Sequence, residues 1–187
     1  MTQEATQDLS LDTRIDEPSL VAGDVELLRF ALQRSRAQFA WKVGGLAAAG
    51  LAARHPPTVM TLGGLVKHVA LVEEMTTARL TGRLPGPPWD GVDWEADPHW
   101  EWRTAAEDSP QELYRLWRCA VARARTALDE VLAGGGPDRP ASLWPRAGRT
   151  TARRLLVDLH DEYARHVGHA DLLREAVDGL VGEDPPQ

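Results

Sequence analysis

The chain has 187 residues and a formal net charge of −7, a length that favours one domain with a proper core and a charge that offers nucleic acid no basic field. Its single Cys119 excludes an intramolecular disulfide and a Cys-rich zinc site. No apolar run reaches the roughly 18 residues of a membrane span, and the acidic start MTQEATQDLSLDTRIDEPS lacks the basic and apolar regions of a secretory signal, so a cytoplasmic protein engaging neither membrane nor nucleic acid is expected.

Residues 1–18 read as a flexible tail ahead of one domain over 19–180. After Pro18-Ser19, Leu27, Leu28, Ala31, Leu32 and Phe39 follow helical spacing, with Arg29, Arg34 and Arg36 on the other faces. The spacing predicts a first helix over about 20–43, ended by Gly44-Gly45. The Ala-rich stretch up to Pro56-Pro57 has room for one helical turn and reads as a connector. Thr61 is placed to cap a second helix. Leu62, Leu65, Val66, Val69, Val72 and Met75 form its apolar side, and Gly82 is its expected end. His68 lies between Leu65 and Val72 and points at the core edge, while Gly63 and Gly64 permit a close helix approach.

Residues 83–108 form a long connection rich in Pro, Asp and Trp. A loop of this length inside a compact domain is usually functional or disordered, and Trp89, Trp94, Trp100 and Trp102 argue against disorder. They either cap the open side of a bundle or wall a small-molecule pocket. Ser109-Pro110-Gln111-Glu112 is a capping box with Pro at the first helical position. The third helix then runs to about 133, where GGGP stops it, and Cys119 near its apolar side reads as an inert core thiol. After the link DRPASLWPRAG, a fourth helix spans about 150–179. With no strand-period runs, the pattern is an all-α four-helix bundle whose second connection is long enough to cross over.

The last helix organises the rest. Leu155, Leu159, Glu162, His166, Ala170, Leu173 and Val177 fall on one of its faces. The ends of that stripe are apolar, but its middle carries a carboxylate and an imidazole at i, i+4. Burying such groups bare is costly or shifts their pKa until they neutralise. A shared metal ion, a buried Glu–His hydrogen bond, or a stripe end that reaches solvent each resolves the conflict. Leu116, Leu156 and Leu172 stand off the core stripes and suggest a homodimer.

TLGGLVKHVALVEE at 61–74 and EYARHVGHADLLREAVDG at 162–179 resemble two motifs of the DinB-like superfamily of four-helix metalloproteins. The likeness extends over about 20–180, including the PPWD loop at 87–90, and is nearest to an actinobacterial-type subgroup. A high content of Ala, Gly and Arg with only two Lys fits a GC-rich bacterium. The resemblance implies one divalent metal held by His68, Glu162 and His166, a ligand set similar to that of the mycothiol-dependent maleylpyruvate isomerases. Many members carry His-x-x-x-His where this chain has Glu162 and His166.

Two imidazoles and a carboxylate suit zinc and leave a coordination position open, although nickel or iron(II) could take the same set. His169 is a candidate partner for a ligand, a proton carrier, a fourth ligand, or, the plainest reading, a pocket-lining residue; His160 reads as solvated, and His55 and His99 lie in connectors. The implied function is a metal-dependent S-transferase or isomerase that acts on a small molecule with a thiol such as mycothiol or bacillithiol, with Trp89, Trp94, Trp100 and Trp102 walling the pocket. The competing readings are a metal-dependent hydrolase and a non-catalytic metal-binding bundle. The loop carboxylates Asp90, Asp93, Glu95 and Asp97 favour a neutral or cationic electrophile.

Overall fold

The computed structural model describes residues 9–143 and 149–186. The first eight residues of the expected tail and part of the last connection lie outside the described residues. The helices are α1 (Asp24–Val43), α2 (Ala48–Leu51), α3 (Leu62–Thr81), α4 (Trp100–Thr104), α5 (Pro110–Gly135) and α6 (Ala152–Asp178), with a 3-10 turn at Trp89–Gly91. No strand occurs among the described residues, and none of their helices is long and apolar enough to cross a membrane.

The helix ends are set by local chemistry. Thr61 Oγ1 accepts the Gly64 N–H at 3.0 Å and starts α3. Gly82, with φ of 78°, ends it in the left-handed conformation that suits glycine. In α5 the Ser109 hydroxyl accepts the Glu112 N–H at 3.3 Å and the Glu112 carboxylate accepts the Ser109 N–H at 2.8 Å. Thr151 caps α6 through the Arg154 N–H, and Gly179, φ 79°, closes it. Helix α1 begins at Asp24, later than its spacing suggested: Leu20 and Val21 are almost fully exposed, and the capping residue, Gly23, offers no side chain.

Side-chain pairings give the topology. Arg153 of α6 bonds Asp24 of α1, and near the other end Arg174 donates to the carbonyls of Lys42 and Gly44 at 3.0 and 2.8 Å, so α1 and α6 run parallel. Gly63 lies against Leu113, and Glu74 pairs with Arg123, so α3 and α5 are also parallel. Arg29 pairs with Asp129, and Phe39 packs on Trp117, which makes α1 and α5 antiparallel. Tyr163 meets Glu73, and His166 meets His68, which makes α3 antiparallel to α6. The bundle is therefore up-down-down-up, and the 83–108 connection is the crossover. It leaves the far end of α3 and returns to the end that holds His68.

One polar chain crosses the core and takes a residue from each long helix. Arg36 of α1 makes a two-pronged contact with Glu73 of α3 at 2.8 and 2.7 Å. Tyr163 of α6 donates to the same carboxylate at 2.7 Å, and Trp117 of α5 donates to the Tyr163 hydroxyl at 2.8 Å. Burial, then the Glu73 charge, push the Tyr163 hydroxyl well above the usual tyrosine range, so it stays a donor. Around this chain pack Leu32, Leu65, Val69, Leu155 and Leu159, each almost fully buried and each contributing about 1.5–3 kcal/mol of burial.

Several expectations change. Arg36 is not on an outer face but 2% exposed, because Glu73 neutralises it. Leu156 is fully in the core and Leu116 packs on its edge, which leaves Leu172, 71% exposed, as the one remaining apolar argument for a dimer. Cys119 and His160 are both half-buried. Leu9 and Leu11 pack on the core and the Leu9 carbonyl accepts the Gly45 N–H, so this part of the tail is docked.

Candidate metal centre

His68 projects from the second turn of α3, and Glu162 and His166 project from one face of α6 a turn apart. Antiparallel packing of these helices brings the three side chains together. Each offers one ligand atom, and these atoms lie within 4.8 Å of one another. His166 is buried and the other two are partly exposed, so one side of the group stays open to the outside.

The outer atoms of each of the three side chains are engaged. His68 Nδ1 bonds Glu101 Oε1 at 3.1 Å, which leaves Nε2 for the centre. His166 Nδ1 is 3.3 Å from His169 Nδ1, and its Nε2 is 3.3 Å from Glu162 Oε2. Arg165 Nη1 holds Glu162 Oε1 at 3.0 Å and leaves Oε2 facing His166. Burial first, then the charges of His68, His169 and Arg165, lower the His166 pKa to about 4. The ring is thus neutral at physiological pH, the form whose lone pair binds a metal. Two imidazole nitrogens and a carboxylate oxygen, each steadied from outside, fit a divalent cation such as zinc.

The model of the family described as mycothiol-S-transferase matches residues 27–179. The chain belongs to the mycothiol S-transferase family. All three clustered donors and the whole crossover lie inside the matched region, whereas the docked segment before α1 lies outside it. A search of curated proteins finds no match.

The four loop tryptophans of this family member divide. Trp102 stacks on His68, with ring centroids 4.6 Å apart, and its ring centre is 6.2 Å from that of His166. Trp89, buried at 3% exposure, and Trp94 each meet Trp100 edge to face. Trp100 in turn lies under the Lys67 ammonium. Trp102 alone of the four has ring contacts to the clustered histidines. Two of the loop acids have local partners: Asp93 accepts backbone N–H groups of Glu95 and Ala96, and Asp97 pairs with Arg103.

Glu101 and Arg165 were missed by sequence reasoning. Arg165 is three residues from Glu162, a spacing at which helix side chains meet. Glu101 lies in the crossover, where no periodicity points to it. Its signal was an acid held between two large aromatics in HWEW.

Proposed function

We propose that this chain is a cytoplasmic, metal-dependent S-transferase that joins a low-molecular-weight thiol, mycothiol by its family, to a small electrophile. The observation that carries the reading is the convergence of His68, Glu162 and His166 within a chain of this family. Three protein donors do not close a tetrahedron, and an open position is the mark of a catalytic rather than a structural site. Zinc is the proposed metal, because two imidazoles and one carboxylate are a common zinc set.

When bound, the divalent cation supplies a Lewis acid that favours the thiolate form of a thiol at neutral pH. The protein's own groups do the rest. Arg165 and His169 hold Glu162 and His166 by their outer atoms. Trp102 forms a flat wall beside the ligand rings. In the transfer the thiol proton is lost to water through the open side. A sulfur–carbon bond forms, and the electrophile's leaving group departs with the bonding pair.

Cobalt-substituted protein titrated with mycothiol tests the proposal. The expected result is a saturable change in the cobalt absorption bands, together with S-conjugation of a model electrophile by the metal-loaded protein. No spectral change at millimolar thiol overturns the transferase reading in favour of a metal-bearing binding module.

A further inference from the structure

We infer that Glu101 is a positioning residue for His68: its carboxylate fixes the imidazole with the proton on Nδ1 and turns the Nε2 lone pair toward Glu162 and His166. The inference rests on the metal reading of the three clustered side chains. Its basis is a contact that neither the spacing of the ligands nor the family description assigns.

A carboxylate oxygen is an acceptor, so the 3.1 Å contact between Glu101 Oε1 and His68 Nδ1 is satisfied with the hydrogen on Nδ1. In a neutral imidazole the other nitrogen then carries the lone pair. A free ring interconverts between tautomers, and one of them presents an N–H to an incoming cation. The contact with Glu101 selects the tautomer that binds.

The surroundings support a dedicated role. Glu101 is 5% exposed, and its second oxygen is buried without a hydrogen-bond partner. A buried carboxylate with so few donors is costly to fold. The Lys67 ammonium donates instead to Asp108 and the Thr104 hydroxyl. His68 is the hydrogen-bond partner that remains to Glu101 among the described residues.

The same short helix controls the ring in a second way. Trp102, the residue after Glu101, lies on the face of His68 with 25° between the ring planes. Neighbouring residues of α4 therefore grip one imidazole by its edge and by its face. The grip limits ring rotation, and the carboxylate limits proton position.

Nitrogen-15 NMR of the metal-free protein reads the tautomer directly, and competition against a chromophoric zinc chelator reads affinity. Wild-type His68 is expected as the Nδ1–H form. Glu101→Ala should shift it to a mixture containing Nε2–H and weaken zinc binding by about 10–100-fold. Glu101→Gln keeps an acceptor oxygen, so it should retain the tautomer and lose less affinity than Glu101→Ala. A role confined to anchoring α4 would leave the tautomer unchanged in both variants.

The inference is overturned if wild-type His68 is Nε2–H, or if Glu101→Ala keeps both the tautomer and the affinity. Should Glu101→Ala fail to fold, the wild-type spectrum and Glu101→Gln still decide it. The tautomer measurement needs neither metal nor thiol. A negative result there removes the role of Glu101 alone, whereas wild-type protein that binds no zinc removes the metal reading.

Discussion

The indole of Trp102 lies on the imidazole of His68, centroid to centroid 4.6 Å, because the helix that carries His68 has no side chain in the way. A Cβ on Gly64, one turn before His68, would sit 2.9 Å from Trp102 Cε3. The glycine pair expected to serve helix contact is thus split in duty. Gly63 admits Leu51 and Leu113, and Gly64 admits the indole.

Gly64→Ala is expected to displace Trp102 and weaken zinc binding several-fold. Alanine gains up to about 1 kcal/mol of helix propensity, but forcing a methyl against a packed ring costs about 1–3 kcal/mol. The check is intrinsic fluorescence with a chelator competition. Gly23→Ala, where nothing lies within 4 Å, is the control and should leave both unchanged.

His68→Ala and His166→Ala should each drop bound metal well below one per chain, measured by elemental analysis after dialysis. Glu162→Gln keeps an oxygen but loses the charge and should bind more weakly than wild type. In loaded protein the ligand distances should be about 2.0–2.2 Å for zinc. Full stoichiometric metal in both histidine variants would place the ion elsewhere.

Metal-stripped protein should lose stability in mild acid. His166 has its pKa lowered from 6.5 to about 4 by burial and by neighbouring charges. Between those values the unfolded chain takes up a proton that the folded chain refuses. Stability therefore falls as pH drops from about 6.5 to about 4, by up to about 3 kcal/mol, and flattens below. Urea melts at pH 7 and 4.5 should show a smaller loss in His166→Gln.

The buried chain through Glu73 should be the most sensitive part of the core. Glu73→Leu strands Arg36 and should cost about 3–5 kcal/mol, while the double variant Arg36→Met with Glu73→Leu should recover much of it. Tyr163→Phe removes the donor to Glu73 and the acceptor of Trp117 and should cost about 1–3 kcal/mol. Chemical denaturation checks all three.

How much of this was legible depends on the range of the interaction. Thr61, Ser109 and Gly179 act on residues within one turn, so their helix ends could be read directly from the chain. Glu162 and His166 betrayed themselves as polar groups on an apolar stripe of one helix. Arg36 did not, because its partner Glu73 is on another helix and α1 alone shows only a charge among charges. Leu156 was misjudged because α6 packs against both α1 and α3, so its buried surface is wider than one stripe. The four loop tryptophans announced an aromatic cluster, but only packing assigns Trp102 to the histidines and the other three to one another.

The crossover also bears on how such a protein can change. Helix α3 has 20 residues and rises about 30 Å, a distance that an extended chain covers in roughly nine residues. The connection from Arg83 to Ser109 is far longer than that. Its surplus length contains the segment that touches His68, while the three clustered donors stand on helices registered by their own caps. Exchanges at exposed positions of the surplus, away from the buried Trp89, Glu101 and Thr104, can therefore give the same donor set new neighbours while the long helices keep their register. Selection for a new substrate has a replaceable cassette on which to act.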